Sequence, residues 1–286
     1  GIGCMPRFDA PKIQAEKISK VKKSGERVVA AIGLRDDYME RAELLIKAGA
    51  DAITLDIAHA HTINALKAIA DFKNKFPNVP MIAGTVATYE GAYDVFKAGA
   101  DSIRVGIGAG TICTTRIVAG SGVPQITAIM EGDRARKKFK NKYVLADGGM
   151  AKSGDLIKAL ASGADACMSG SLYAGTDEAP GEIIIKNGKK YKFYDGSTSS
   201  FQKHKQIKKD NSGIKPTFSL HVEGVEAMVR YKGPVKDVID SLCAGLRSGF
   251  SYSGSFNIKQ LHKKAQFIQI TYAGLKESYP HDVELI

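Results

Sequence analysis

Cys113 closes the stretch Gly106-Ile107-Gly108-Ala109-Gly110-Thr111-Ile112, which directly follows an apolar run, and it is followed by Thr114-Thr115-Arg116. Glycines at alternate positions permit positive φ and leave backbone N–H and C=O groups free to face a ligand. A thiol on such a turn, beside two hydroxyls and a guanidinium, is placed as a nucleophile. Other polar residues and glycines collect just beyond further apolar runs: Asp56 and His59, Gly84 and Thr85, Asp147-Gly148-Gly149, and Gly170-Ser171. A Gly-Ser pair at such a place suits a phosphate, because glycine N–H groups and a helix N-terminus together hold an anion. Asp147-Gly148-Gly149 admits two readings, a ligand-facing loop or a plain strand-to-helix turn. Cys167 inside an apolar strand and Cys243 on a helical pattern read as packing residues. His59 and His61 are two apart, do not share a helix face, and are not read as metal ligands.

Loops from distant parts of the chain must be brought together by a scaffold, and the chain repeats a scaffold unit. Lys47-Ala48-Gly49-Ala50-Asp51, Lys97-Ala98-Gly99-Ala100-Asp101 and Ala161-Ser162-Gly163-Ala164-Asp165 each precede a short apolar run. Each unit reads as a helix stopped by glycine and followed by a buried strand. Strands are predicted near 1–5, 28–33, 52–56, 80–84, 102–106, 143–147 and 165–169. Helices are predicted near 11–23, 38–48, 62–75, 88–98, 125–139, 153–162 and 234–248. This alternation places the chain in the α/β class with a parallel sheet and helical crossovers. The expected architecture is a (β/α)8 TIM barrel whose functional loops follow the strand C-terminal ends. Only seven strands are counted, and the chain opens directly on a strand, Gly1-Ile2-Gly3-Cys4-Met5. The expectation is therefore a barrel lacking its first β/α unit through truncation, with an open doubly wound sheet as the alternative. Residues 175–225 break the pattern, with a hairpin around Ile183–Tyr194 and a flap over Ser197–Ser219. One catalytic barrel domain over 1–286 is expected.

Composition narrows the partners. The 286 residues are 44% hydrophobic, enough for one large core. No apolar run approaches the ~20 residues of a membrane span, and the start carries no signal segment. Four scattered cysteines read as reduced thiols in a cytoplasmic protein. The net charge of +11 reads first as a solvated basic surface, whose field also attracts a small phosphorylated anion or a nucleic acid. Nucleic acid is the weaker reading, since no aromatic stacking motif accompanies the charge.

Gly106–Arg116, followed by Gly122-Val123-Pro124-Gln125-Ile126-Thr127-Ala128-Ile129, resembles the active-site loop of the IMP dehydrogenase and GMP reductase family. The resemblance extends through Ala146-Asp147-Gly148-Gly149, Gly170-Ser171-Leu172, the stretch Ala174-Gly175-Thr176-Asp177-Glu178-Ala179-Pro180-Gly181-Glu182, Glu223-Gly224-Val225-Glu226 and Glu277–Val283. It implies a (β/α)8 barrel, usually a homotetramer, binding a purine nucleotide (GMP or IMP), with Cys113 attacking purine C2. By resemblance Thr115 lies near the reacting centre and Glu223 contacts base or nicotinamide. Asp147 would bind the ribose, and Gly149, Gly170, Ser171 and Tyr194 the phosphate. Thr111 stands where the family has a phosphate-binding serine, and Gly196 falls on the substrate side. Asp56 would contact the nicotinamide ribose of NADPH or NAD, with Ile57, Ala58, Gly106 and Gly108 beside it. Carbonyls of Gly108, Gly110 and Cys113 match a monovalent-cation (K+) site.

The two directions of the family differ in one step, because the dehydrogenase must hydrolyse its adduct, with an Arg-Tyr pair on the flap. From Gly196 to Val222 this chain has neither Arg nor Tyr, and Thr217-Phe218 stands about where the pair is expected. Asp56-Ile57-Ala58-His59 and Met5-Pro6-Arg7-Phe8 resemble reductases, and no two-repeat regulatory domain falls between residues 24 and 28. Gly122–Ile129, Thr176–Glu182 and Glu277–Val283 are closer to dehydrogenases. The expectation is a GMP reductase, taking GMP and NADPH to IMP and ammonia. IMP dehydrogenation by NAD is the alternative, and nucleotide binding without turnover is a further one. Ala109 replaces the loop's usual proline, Ala60 a usual glycine, and Ser197 a methionine that holds the base.

Overall fold

The computed structural model describes residues 1–35, 37–196 and 222–284. Seven strands form one parallel sheet: β1 Gly3–Met5, β2 Val28–Ile32, β3 Ala52–Asp56, β4 Met81–Val86, β5 Ser102–Val105, β6 Tyr143–Asp147 and β7 Ala166–Met168. Their order in the sheet is their order in the chain. A doubly wound sheet reverses its strand order at a switch point, so that alternative is excluded. Right-handed crossovers in unbroken order put every helix on one face and curl the sheet. The result is a (β/α)8 barrel one strand short of closure, with β1 and β7 as its edges.

The connecting helices are α1 Pro11–Lys23, α2 Tyr38–Lys47, α3 Ile63–Lys75, α4 Tyr89–Lys97, the short α5 Thr115–Val118, α6 Gln125–Arg136 and α7 Ser153–Ala161. They cover the outer face of the sheet. Ile53, Leu55 and Ile103 alternate outward from the strands and meet Ile18, Leu45, Ile69, Phe72, Phe96 and Ile129, all essentially without exposure. Each such side chain contributes roughly 1.5–3 kcal/mol of burial. The intervening residues, Thr54, Asp56, Ser102 and Arg104, face the barrel interior, as the parallel register requires.

The repeated Gly-Ala-Asp has a structural reason. Asp51, Asp101 and Asp165 each accept, at 2.8 Å, the N–H at the start of a neighbouring strand: Val28, Met81 and Val144 respectively. Each aspartate's own N–H donates back to the carbonyl of that residue. The motif stops a helix and pins the base of the adjacent strand in one stroke.

After β7 the chain leaves the barrel. β8 Ile183–Lys186 and β9 Lys189–Asp195 form the expected hairpin, turning on Asn187-Gly188, both with positive φ. β10 Glu226–Arg230 pairs antiparallel with β9. Lys192 on β9 is 3% exposed, and its ammonium donates to the carbonyls of Thr176, Asp177 and Ala179 at 2.8, 3.2 and 2.7 Å. This buried cation ties the loop after β7 to the hairpin. Three helices follow, α8 Val235–Tyr252, α9 Ile258–Lys264 and α10 Tyr272–Glu277. Four elements were not foreseen: α5, β10, α9 and α10. The expected flap, with Ser197 and Thr217-Phe218, lies outside the described residues. No helix among the described residues is long and apolar enough to cross a membrane.

Replacing Asp101 by Ala removes the pin on Met81 and the partner of Lys73, 2.9 Å away. Urea unfolding should show a loss of about 1.5–3 kcal/mol, since hydrogen bonds to charged groups contribute in that range. An unchanged midpoint would show that the repeat serves only as a helix stop.

Candidate active site

The loop that follows β5 begins at Gly106, where φ is +147° and an added Cβ would lie 2.2 Å from the carbonyl oxygen of Asp147. Only glycine lets the loop cross so close to the end of β6. The loop closes with Cys113 donating its N–H to the Gly110 carbonyl at 3.0 Å. A distant segment then straps it down. Cys113 and Gly224 form an antiparallel bridge, the Thr114 N–H donates to the Glu223 carbonyl, and the Val225 N–H donates to the Ile112 carbonyl, each at 3.0 Å.

That strap delivers Glu223 to the thiol. The Thr115 hydroxyl donates to Glu223 Oε2 at 2.7 Å and lies 3.1 Å from Cys113 Sγ. With its own proton committed to the carboxylate, the hydroxyl oxygen is free to accept a proton from the sulfur side. Thiol, hydroxyl and carboxylate thus form a continuous path for a proton.

The wall facing the thiol is built on Arg104, whose side chain is 11% exposed. Its Nη1 donates to Asp56 Oδ1 at 2.7 Å, and its Nε and Nη2 donate to Asp147 Oδ2 at 2.9 and 2.6 Å. Burial works against the guanidinium charge, but the two carboxylates outweigh it and raise the Arg104 pKa. Arg7 completes the row, its Nε donating to the Asp56 carbonyl at 3.1 Å. Gly84 makes the space, since a Cβ there would meet that of Arg104 at 2.4 Å. Arg104 and Arg7 were not among the expected site residues. The signal for Arg104 was a lone arginine in the apolar run Ser102-Ile103-Arg104-Val105.

Beyond Cys113 the phosphate-type residues meet. The Thr111 hydroxyl donates to Ser171 Oγ at 3.0 Å. The Tyr194 hydroxyl lies 3.0 Å from where a Gly170 Cβ would be. Burial, then Asp147 and Asp195, push the Tyr194 phenol up, so it stays a donor. Gly149 backs onto the Ala109 carbonyl, and Gly196 lies against Ile112 and Gly224. A cleft of about 300 Å³ is bordered by Cys113, Thr115 and Glu223 on one side and by Asp56, Arg104 and Asp147 on the other. Ile57, Ala58, Gly106, Gly108 and Gly110 also border it. Thr111, Gly149, Gly170, Ser171, Tyr194 and Gly196 are not among the residues that border it.

The family described as "IMP dehydrogenase / GMP reductase domain" matches residues 1–281. An inosine-5'-monophosphate dehydrogenase of Streptococcus pyogenes is 46% identical over 260 residues, covering 90% of this chain and 52% of that protein. One from Nitrosopumilus maritimus is 45% identical over 94% of this chain and 57% of its own length. One from Aquifex aeolicus is 47% identical over 91% and 53%. The chain spans about half the length of these curated relatives. Their names overturn the expectation of a GMP reductase. That expectation rested on the absence of Arg and Tyr from 196–222, on Asp56-Ile57-Ala58-His59 and Met5-Pro6-Arg7-Phe8, and on the absence of a two-repeat domain between residues 24 and 28.

Cysteine reactivity tests the site. Burial pushes the Cys167 thiol up to about 12. Cys4 lies on the exposed edge of β1, yet its thiol faces Arg104, Asp56 and Asp147, and desolvation pushes it up to about 11. At pH 8 a thiol near 12 is ionised in about one molecule in ten thousand. Iodoacetamide at pH 8 followed by peptide mapping should label Cys113 ahead of both, with Cys4 joining as the pH approaches 11. Equal labelling of Cys167 would contradict this placement.

Proposed function

The chain belongs to the IMP dehydrogenase / GMP reductase family, and on that premise we propose that it oxidises IMP at purine C2 with NAD, through a covalent bond to Cys113. The single observation that carries the reading is the Cys113–Thr115–Glu223 path, with steps of 3.1 and 2.7 Å. Cys113 sulfur bonds to C2, and its proton passes to Thr115 and on to Glu223. The nicotinamide supplies the acceptor for the hydride that leaves C2. Water then attacks C2, the C2–S bond breaks, and the product is the 2-oxo purine nucleotide, XMP. Glu223 releases that first proton to solvent, then takes the proton of the attacking water and returns it through Thr115 to the departing sulfur, so that the cycle as a whole releases one proton.

The remaining residues bind and orient. Asp147 has Oδ2 committed to Arg104 and offers Oδ1 to the substrate ribose, while Asp56 has Oδ1 committed to Arg104 and offers Oδ2, 3.6 Å from Arg7 Nε, to the nicotinamide ribose. Thr111, Ser171, Tyr194 and the amides at Gly149 and Gly170 hold the phosphate. Gly196 borders the base. The carbonyls of Gly108 and Cys113 accept no hydrogen bond from the described residues, and that of Gly110 accepts only the Cys113 N–H. Three hard oxygens on one loop fit a monovalent cation such as K+, which would fix the turn carrying the sulfur.

Absorbance of NADH, followed after mixing the chain with IMP and NAD, tests the reading. Sustained NADH formation is expected, with none in Cys113→Ala. Glu223→Gln should slow the first turnover as well as steady turnover, each about a hundredfold or more. Full turnover in Glu223→Gln would remove the carboxylate from the path. NADPH consumption with GMP, and no reaction of IMP with NAD, would overturn the reading.

A further inference from the structure

The loop that leaves β3 at Asp56 borders the cleft with Ile57 and Ala58. Its two ends are fixed by charged side chains. The Asp56 carbonyl accepts from Arg7 Nε at 3.1 Å, and His61 Nε2 meets Asp94 Oδ2 on α4 at 3.0 Å. Between those anchors the loop is held from the end of β4, chiefly by Thr85. The Thr85 N–H donates to the Ile57 carbonyl at 2.9 Å, and the Thr85 carbonyl accepts the Ala60 N–H at 2.8 Å. The Ile57 N–H donates to the Gly84 carbonyl at 3.1 Å.

Those three bonds are backbone bonds, open to most residue types at position 85. A fourth belongs to the side chain. Thr85 Oγ1 donates to the Ala58 carbonyl at 2.7 Å, and that carbonyl has no other donor among the described residues. The branched side chain restricts χ1 and so aims the hydroxyl. Ala58 is exposed, so water can serve its carbonyl if the hydroxyl is lost. The bond is therefore of little use to folding. What it fixes is the path of the chain two residues beyond Asp56, whose Oδ2 is the carboxylate oxygen that Arg104 leaves toward the cleft. A carboxylate that must meet ribose hydroxyls at hydrogen-bond distance tolerates only small displacements.

We propose that Thr85 is a positioning residue for the dinucleotide: its hydroxyl holds the loop after β3 so that Asp56 meets the nicotinamide ribose. This rests on the role given to Asp56 above.

Calorimetric titration of NAD into the Cys113→Ala chain loaded with IMP reads dinucleotide binding without turnover. In that background Thr85→Val keeps the branched shape and removes the hydroxyl. It should weaken NAD about tenfold and leave IMP affinity within about twofold. Thr85→Ala should weaken NAD to the same degree. Thr85→Ser keeps the donor and should hold NAD affinity within about twofold. Thermal unfolding midpoints should match across the three variants. Unchanged NAD affinity in Thr85→Val and Thr85→Ala, equal losses for NAD and IMP, or no rescue by Thr85→Ser would overturn the proposal. Absence of NAD binding in the Cys113→Ala chain would overturn both this and the oxidation. Weakened NAD binding in Thr85→Val, in a protein whose Cys113 form does not oxidise IMP, would uphold the positioning role and reject only the reaction.

Discussion

The buried fork of Arg104 on Asp56 and Asp147 is the constraint around which the cleft is organised. It joins β3, β5 and β6 at their C-terminal ends, where the barrel opens. A guanidinium at this depth is tolerable only while both carboxylates meet it, and losing one partner of such a pair costs about 3–5 kcal/mol. Each carboxylate is thereby held in one orientation with an oxygen left toward the cleft. The scaffold accommodates this from below: Gly84 vacates the space for the arginine, and the aspartate pins at the strand bases hold the register that puts all three residues on the inner face.

The opposite wall is organised by backbone rather than charge. Glycines let the Cys113 loop cross the end of β6, and a strap from the far side of the hairpin fastens it. The nucleophile and its proton acceptor are more than a hundred residues apart in sequence, yet one hydroxyl connects them. Charge on one wall and a proton path on the other divide the work between holding ligands and moving protons.

Most of the barrel was legible in the sequence because its punctuation is local. Each Gly-Ala-Asp marks a helix end and a strand start within five residues, so strands such as Ala52–Asp56 and Ser102–Val105 fell where expected. The hairpin expected around Ile183–Tyr194 is present as β8 and β9. What escaped depends on partners far along the chain. β10 is a strand only because β9 lies beside it, and Lys192 is buried only because three carbonyls of another loop converge on it. Arg104 looked like an interruption of an apolar strand until Asp56 and Asp147 stood on either side. The direction of the reaction was misread for a different reason. A segment without Arg and Tyr and two short stretches, Met5–Phe8 and Asp56–His59, outweighed Gly122–Ile129, Thr176–Glu182 and Glu277–Val283, the stretches that agree with the relatives' names.

The strap has a bearing on how this chain can change. Gly196 and Gly224 lie side by side, with an added Cβ on the first only 3.6 Å from the Cα of the second. Whatever runs between them departs from and returns to one spot beside Cys113. The entropy of closing such an excursion rises only with the logarithm of its length, about 0.6 kcal/mol per doubling. The part of that interval before Glu223 can therefore be lengthened, shortened or exchanged as a cassette at small energetic penalty, while the anchored glutamate keeps its place. Chemistry at the thiol and variation in the interval are uncoupled by a pair of neighbouring glycines.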